Sequence, residues 1–210
     1  MPKISFIYFD VGGVALKDFS NTSKWEDMLT HLGLDKFDRD QVESVYDSHD
    51  TAICKGEFRV EDLIPIYKQQ FGITVPLDFD FLQYFVDHFE LNSGIWPIID
   101  GLKRSSFKLG LLTDMYPDML ARINSKKLLP QIDWDAVIDS SVEGVRKPMP
   151  EIYQLAAERA GVPTEQILFI DNRQKNLDGA KLAGWQTYLY ESKDYDQANA
   201  DLTHFLNVIM

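Results

Sequence analysis

Residues 4–13 read ISFIYFDVGG, an apolar run that ends at Asp10 and is followed within three residues by two glycines. A short apolar run closed by turn residues is typical of a β-strand that is buried on both faces. We therefore expect a strand over Ile4–Phe9, with Asp10 just past its carboxyl end. The glycines predict a tight turn in which the backbone can approach a ligand closely.

The same pattern recurs along the chain, which indicates a sheet of several strands. Four further apolar runs end at a polar or acidic residue: Phe107–Leu112, Ala136–Ile138, Ile167–Ile170 and Thr187–Tyr190. Three helical patterns separate these later runs: Asp118–Asn124, Glu151–Ala160 and Asn176–Ala183. Strands that alternate with helices predict an α/β fold with a Rossmann-like parallel sheet and right-handed crossovers.

A long interval between the first two strands interrupts this alternation. It carries no clear strand pattern but four helical ones: Trp25–Leu32, Gln41–Ile53, Val60–Phe71 and Phe79–Phe89. The sequence therefore predicts an α/β core of residues 1–16 and 92–210, into which a helical unit of residues 17–91 is inserted.

Polar side chains follow three of the predicted strands at the same point. Asp10, Thr113 and Asp171 each stand just past the end of an apolar run. Because the carboxyl ends of parallel strands meet at one edge of an open sheet, where ligands bind, we expect these residues to converge.

Composition limits the class of partner and the compartment. The 210 residues carry a net charge of −12, which disfavours binding to nucleic acid or to anionic membrane surfaces. Cys54 is the single cysteine, so no intramolecular disulfide is expected. The N-terminal apolar run is too short for a signal peptide, and no run approaches the roughly 18 apolar residues of a membrane span. We expect a cytoplasmic protein, and no pattern indicates its oligomeric state.

Four short motifs, in this order, resemble those of the haloacid dehalogenase-like hydrolase superfamily, which is dominated by phosphatases. They lie at Phe9–Val14, Leu111–Asp114, Gly144–Pro148 and Phe169–Asn172. The resemblance covers nearly the whole chain, and the helical unit of residues 17–91 corresponds to the cap that the family inserts after its first motif. It implies hydrolysis of a small phosphorylated metabolite.

The resemblance also implies roles for individual residues. Asp10 corresponds to the nucleophile that forms an aspartyl-phosphate ester, and Thr113 to a ligand of the transferred phosphoryl oxygens. Lys147 corresponds to the ammonium that pairs with both. Asp10, Asp171 and the backbone carbonyl of Gly12 correspond to the ligands of a Mg²⁺ ion, a cation that prefers hard oxygen ligands.

Some positions depart from the family pattern or are less specific. Asp114 stands in the phosphate-binding motif where many relatives carry Asn, so its role is open. Asn172 stands where many relatives have a second acid, and we expect it to support the metal site. Lys55 lies in the turn that matches the family's substrate-specificity loop. It is a candidate contact to the substrate.

Gly12 is the departure with the largest consequence. Phosphatases of the family usually have an aspartate there, which protonates the leaving group and then activates water. Its absence leaves three alternatives: a phosphatase for good leaving groups such as a sugar 1-phosphate, a haloacid dehalogenase, or a degenerate member that binds without efficient turnover. The first resembles α-glucose-1-phosphate phosphatases, which share the Asp-x-Gly-Gly-Val string. Asp18 is a candidate replacement for the missing acid.

Phosphoacceptor receiver domains also combine acidic residues, Thr and Lys on a parallel sheet. The order along this chain argues against them, because Lys147 precedes the last acid, Asp171. The large helical insertion argues against them as well.

Overall fold

A computed structural model describes residues 3–19, 23–76 and 79–209. Its sheet has five parallel strands in the order β3-β2-β1-β4-β5. The strands are β1 (Phe6–Phe9), β2 (Lys108–Thr113), β3 (Ala136–Asp139), β4 (Ile167–Asp171) and β5 (Gln186–Leu189). The predicted α/β class and parallel sheet are thus confirmed, with strand ends within two residues of those expected.

The central strand β1 is buried on both faces, as its continuous apolar sequence predicts. Phe6 and Tyr8 belong to one apolar cluster, whereas Ile7 and Phe9 belong to the other. Side chains alternate between the faces of a strand, so each cluster covers one face of the sheet. The position of Asp10 is therefore fixed by a strand that has no solvent-exposed face.

Helices connect the strands and fill the interval after β1. In the described residues they are α1 (Lys24–His31), α2 (Arg39–Cys54), α3 (Leu63–Phe71), α4 (Phe81–His88), α5 (Trp96–Arg104), α6 (Met119–Ser125), α7 (Ser140–Glu143), α8 (Pro150–Ala160), α9 (Gln174–Leu182) and α10 (Tyr195–Ile209). The four helical patterns predicted for the interval correspond to α1–α4.

The pattern predicted as one helix over Val60–Phe71 is divided. A 3₁₀ turn covers Val60–Asp62, and α3 begins at Leu63. Pro65 then falls in the first turn of α3, where its missing N–H leaves no intrahelical hydrogen bond unmade. The proline thus explains why the α-helix begins later than predicted.

The two connections between the inserted helices and the sheet domain run side by side. Leu16 forms an isolated antiparallel bridge with Leu91, and the Lys17 amide donates to the Glu90 carbonyl at 2.9 Å. This pairing lies at the boundaries expected for a cap of residues 17–91. Buried side chains of the insertion belong to the same apolar cluster as one face of the sheet. The division into two domains stays a prediction.

Candidate active site

Three neighbouring strands bring the predicted residues to one edge of the sheet. Asp10 follows β1, Thr113 ends β2 and Asp171 ends β4, and β1 lies between the other two. Lys147 reaches them from the loop between α7 and α8. Its Nζ lies 2.9 Å from Asp10 Oδ1 and 2.9 Å from Asp171 Oδ2, and donates to the Leu112 carbonyl at 3.1 Å. The convergence expected from the sequence is therefore present.

This cluster carries an excess of buried negative charge. Asp10, Lys147 and Asp171 are all buried, so two carboxylates face one ammonium. Burial raises the pKa of Asp10 to about 7, against the lowering effect of Lys147 and with a further increase from Asp171. Burial lowers the pKa of Lys147, but the carboxylates of Asp10 and Asp171 raise it above its usual value. The ammonium is held charged, and a further cation would relieve the excess.

The donor set fits a magnesium ion. Among the described residues, no three His, Cys, Asp or Glu side chains are grouped so that they could hold a metal. The predicted ligands are only two carboxylates, Asp10 and Asp171, together with the Gly12 carbonyl. Mg²⁺ commonly binds through one or two carboxylates and keeps several waters, so a third acid is not needed.

Asp171 is held in place by several donors. Its Oδ1 accepts from the Arg173 amide at 2.7 Å, and its Oδ2 accepts from Asn176 Nδ2 at 3.0 Å as well as from Lys147. Asn176 lines the active-site cavity, and its Oδ1 is buried without a hydrogen-bond partner in the described part of the chain. From the sequence, Asn176 was interpreted as a helix cap or a support of the loop, and its hydrogen bond to Asp171 was not predicted. Its position five residues after Asp171, in the first turn of α9, was the available signal.

Thr113 and Asp114 differ in what their side chains do. Thr113 Oγ1 is buried and has no hydrogen-bond partner among the described residues, as expected of a group that awaits a ligand. The Asp114 carboxylate instead accepts from the Lys147 amide at 3.0 Å and from Arg146 Nε at 3.4 Å. Asp114 therefore positions the loop that carries Lys147. The sequence left the role of Asp114 in the phosphate-binding motif open, and these contacts assign its side chain to the Lys147 loop, since a carboxylate repels a phosphoryl group.

The two glycines after Asp10 have different surroundings. Gly13 has φ +84°, and a Cβ on it would lie 2.0 Å from Asn172 Nδ2, so only glycine fits. Gly12 has no positive φ, and a Cβ there would meet nothing within 4 Å. Gly12 lines the cavity. The space that an acid at this position would occupy is open.

Asn172 lies beside this loop. Its Nδ2 is 3.4 Å from Asp18 Oδ2 and 3.4 Å from Ser192 Oγ, while its Oδ1 is buried without a hydrogen-bond partner in the described residues. The contact with Gly13 gives Asn172 a steric role in seating the loop. Asp18, the candidate replacement acid, lines the cavity that also contains Asp10.

The cavity above the cluster has a volume of about 410 Å³. Side chains from the inserted helices form one wall: Trp25, Arg39, Glu43, Tyr46, Asp47, Asp50, Cys54, Phe85 and Phe89. Asp10, Asp114, Tyr116, Arg146 and Lys147 belong to the opposite wall. The aromatic side chains of the insertion thus line the cavity and also pack in the apolar core. The Tyr46 and Tyr116 hydroxyls contact each other between the two walls.

Lys55 does not line this cavity, which corrects the expectation that it contacts substrate there. Its ammonium pairs with the Glu57 carboxylate. The adjoining Gly56 has φ +72°, and a Cβ on it would lie 2.2 Å from the Ser141 carbonyl oxygen. The turn is therefore close to the sheet domain, as the family pattern implies, but its lysine is engaged locally.

Arg146, which from the sequence alone is structural or exposed, lines the cavity and forms two ion pairs. Its Nη1 lies 2.6 Å from Asp50 Oδ2 on α2, and its Nε lies 3.4 Å from Asp114 Oδ2. It therefore joins the inserted helices to the loop that holds Lys147. The available signal was its position next to Lys147. Its partner is 96 residues away along the chain, which no local pattern indicates.

In the described residues, no helix combines the length and apolar character that a membrane crossing requires.

Comparison with known proteins agrees with this geometry. The chain is 33% identical over 95 residues to phosphatase MT3486 of Mycobacterium tuberculosis, a match that covers 45% of this chain and 44% of that protein. It is 30% identical over 101 residues to the glyceraldehyde 3-phosphate phosphatase of Pyrococcus abyssi, covering 47% and 41%. The matched region thus spans less than half the length of these curated relatives.

Solved structures share the fold over almost the entire chain. The HAD family enzyme BT-2542 of Bacteroides thetaiotaomicron superposes with a TM-score of 0.77 at 17% identity, covering 97% of this chain and 98% of that one. Another structure of that enzyme contains magnesium and inorganic phosphate. The family model for haloacid dehalogenase-like hydrolases matches residues 7–184, a range that holds all four motifs and the Asp10–Lys147–Asp171 cluster. This chain belongs to the haloacid dehalogenase-like hydrolase family.

Proposed function

We propose that the chain is a magnesium-dependent phosphatase, which hydrolyses small phosphomonoesters through an aspartyl-phosphate ester on Asp10. The observation that carries the proposal is the buried cluster of Asp10, Lys147 and Asp171 beside a cavity of about 410 Å³. Two relatives named as phosphatases align with almost half of the chain, which supports the same chemistry.

In the first step, a carboxylate oxygen of Asp10 bonds to phosphorus while the bond from phosphorus to the leaving oxygen breaks. A carboxylate is a weak nucleophile, so the step depends on positioning and on neutralised charge. Lys147 donates to Asp10 Oδ1 and keeps the carboxylate oriented. The unpartnered Thr113 hydroxyl donates to a phosphoryl oxygen.

In the second step, water attacks phosphorus, inorganic phosphate leaves and the Asp10 carboxylate is restored. A Mg²⁺ ion held by Asp10, Asp171 and the Gly12 carbonyl supplies positive charge that stabilises the phosphoryl oxygens. Asn176 and Lys147 keep the Asp171 carboxylate oriented for this role. We further propose that residues 17–91 act as a cap that excludes water during the first step.

Gly12 restricts the substrates on which this chemistry is fast. No carboxyl group at residue 12 protonates the leaving oxygen, so that oxygen has to depart with little assistance. The anomeric oxygen of a sugar 1-phosphate leaves more readily than a primary alcohol does. We therefore propose a sugar 1-phosphate, or a phosphate ester with a comparable leaving group, as the substrate.

The test is a phosphate-release assay with p-nitrophenyl phosphate, glucose 1-phosphate and glucose 6-phosphate, with Mg²⁺ and with EDTA. We expect Mg²⁺-dependent turnover, faster on glucose 1-phosphate than on glucose 6-phosphate. Asp10→Asn should abolish it. Asp178→Asn, which removes an exposed carboxylate on α9, is the matched control and should keep it.

Other outcomes would overturn the proposal in different ways. Release of chloride from 2-chloropropionate without metal would identify a dehalogenase. Absence of turnover on every ester, with a folded protein that still binds Mg²⁺ and phosphate, would identify a degenerate member that binds its ligand. The open space at Gly12 is the observation that favours this second reading.

A further inference from the structure

The cations around the active-site cavity are not equivalent. Four basic side chains line it: Arg39, Arg146, Lys147 and Arg173. Three of them form ion pairs, Arg39 with Glu26 and Glu43, Arg146 with Asp50 and Asp114, and Lys147 with Asp10 and Asp171. The Arg173 guanidinium is exposed and has neither an ion pair nor a hydrogen bond in the described parts of the chain.

The backbone fixes where Arg173 lies. It is the residue before α9, and its amide donates to Asp171 Oδ1 at 2.7 Å. The start of its side chain is therefore held next to one of the two buried carboxylates. The proposed phosphoryl site and the guanidinium belong to the same end of the sheet.

Arg173 also stands at the junction of two cavities. A second cavity of about 330 Å³ adjoins the first, and both are lined by Asp18 and Arg173. The walls of the second cavity are mainly polar and include Asn172, Ser192, Glu191 and Lys193. A ligand that reaches from one cavity into the other therefore passes the guanidinium.

A cation without an ion pair among the described residues suits an anionic part of the ligand at this junction. The charge of Lys147 is already matched by Asp10 and Asp171, and the chain as a whole carries a net charge of −12. Arginine presents a planar set of donors that fits a carboxylate through two parallel hydrogen bonds. One guanidinium supplies one positive charge, which matches a carboxylate better than a second phosphate dianion.

We propose that Arg173 is a specificity-determining residue, whose guanidinium binds a carboxylate on the leaving-group part of the substrate. The substrate is then a phosphomonoester that also carries a carboxylate and extends from the first cavity towards the second. This proposal rests on the phosphatase function proposed above, with phosphate seated at the Asp10 cluster.

The test compares two esters that differ in one group and share an anomeric leaving oxygen. Glucuronic acid 1-phosphate carries a carboxylate where glucose 1-phosphate carries a hydroxymethyl group. We expect Arg173→Gln to raise KM for glucuronic acid 1-phosphate about tenfold or more, since a charge-assisted hydrogen-bonded pair is lost. KM for glucose 1-phosphate and both kcat values should stay within about twofold, and Arg173→Lys should restore part of the loss.

Lys175→Gln is the matched control. It removes a positive charge two residues away, in the first turn of α9, but Lys175 is exposed and lines neither cavity, so both KM values should be unchanged. An equal loss on both esters in Arg173→Gln would overturn the proposal, because it would indicate a general phosphate contact. Equal KM values for wild type and Arg173→Gln on glucuronic acid 1-phosphate would overturn it as well.

Calorimetric binding of the two esters in the presence of Mg²⁺ separates failure of the phosphatase function from failure of this proposal. If wild type hydrolyses neither ester but binds glucuronic acid 1-phosphate more tightly, and Arg173→Gln loses that preference, the phosphatase function is wrong and the role of Arg173 is supported. If the two proteins bind glucuronic acid 1-phosphate equally, the role of Arg173 is wrong whatever the activity.

Discussion

Adjacent glycines in the loop after β1 illustrate how one residue position can decide the chemistry. Gly13 is required by its positive φ and by its approach to Asn172. Gly12 is under neither constraint, since its backbone lies outside the left-handed region and its Cβ position is empty. The backbone therefore tolerates a side chain at residue 12, and the absence of an acid there is a difference in chemistry without a steric cause.

Gly12→Asp should consequently add an acid–base group to the cavity. Positioned acid–base groups contribute about 10²–10⁴-fold, so we expect turnover of glucose 6-phosphate to rise by about 10²-fold. The gain on p-nitrophenyl phosphate should be smaller, since its leaving group departs without a proton and only the activation of water in the second step is improved. Steady-state kinetics on the two esters measures the difference. Gly12→Ala is the control for filled space, and a Gly12→Asp enzyme no faster than Gly12→Ala on glucose 6-phosphate would contradict the prediction.

At the residue scale, the sequence was most informative where a residue directly follows a strand. The order of buried strands places Asp10, Thr113 and Asp171 together, and this could be predicted because parallel strands share a carboxyl edge. The partners of Arg146 and the guanidinium of Arg173, unpaired within the described ranges, could not be predicted, because they depend on which charges face these side chains in the folded chain. Lys55 was misplaced because sequence locates its turn but not the nearby Glu57 that pairs with it.

Among the secondary-structure elements, α2 of the insertion has polar contacts with the catalytic loops. Asp50 on α2 pairs with Arg146, and Thr51 Oγ1 lies 3.4 Å from Arg146 Nη1. Tyr46 on the same helix contacts Tyr116, three residues after Thr113. Since Arg146 precedes Lys147, the position of α2 is linked to the loop that holds the ammonium.

Asp50→Asn should loosen this link. The side chains of Arg146 and Asp50 are 13% and 32% exposed, so the pair lies between the exposed and buried cases. We expect a loss of about 1–2 kcal/mol, between the typical values for exposed and for buried pairs. This corresponds to a fall in Tm of about 2–8 °C for a chain of this size. Calorimetry measures Tm, and amide hydrogen exchange should accelerate in α2.

The control for this prediction is Asp178→Asn. Asp178 lies 3.7 Å from Lys181 in a pair whose side chains are both more than half exposed, so its Tm should change little. Equal Tm values for the two variants, with unchanged exchange in α2, would show that the Arg146–Asp50 pair does not hold the helix.

The type and order of most elements could be predicted from the hydrophobic pattern of the sequence, but some helices could not. α5 and α10 were not predicted. Pro97 lies in the first turn of α5, and the Asp194 carboxylate accepts hydrogen bonds from the amides of Asp196 and Gln197 at the start of α10. These are helix-start signals that pattern reading can use. The contacts across the cavity are different, because they depend on how the inserted helices pack against the sheet domain.

On the scale of the whole molecule, the fold concentrates one unbalanced group of charges at its centre. β1 and β4 are buried along their entire length, and the carboxylates at their ends share a single ammonium. The apolar clusters on the two faces of the sheet hold these strands in register. Binding of a divalent cation at this point should therefore be coupled to the stability of the entire chain, as well as to the reaction.

This coupling predicts that Mg²⁺ raises Tm, and that the increase grows with pH. A ligand at a hundred times its Kd stabilises the folded state by about 2.7 kcal/mol, or about 5–11 °C for this size. Protons compete with Mg²⁺ for Asp10, whose pKa burial raises to about 7. Below that pKa each pH unit weakens Mg²⁺ binding up to about tenfold, which removes up to about 1.4 kcal/mol of the stabilisation. Thermal unfolding at pH 6 and pH 8, with equal Mg²⁺ and with EDTA, should therefore give the larger shift at pH 8.

Asp171→Asn should lose most of the Mg²⁺-induced shift in Tm at both pH values, while Asp178→Asn keeps it. A shift that is the same at pH 6 and pH 8, or that survives in Asp171→Asn, would place the cation away from the carboxylates of β1 and β4.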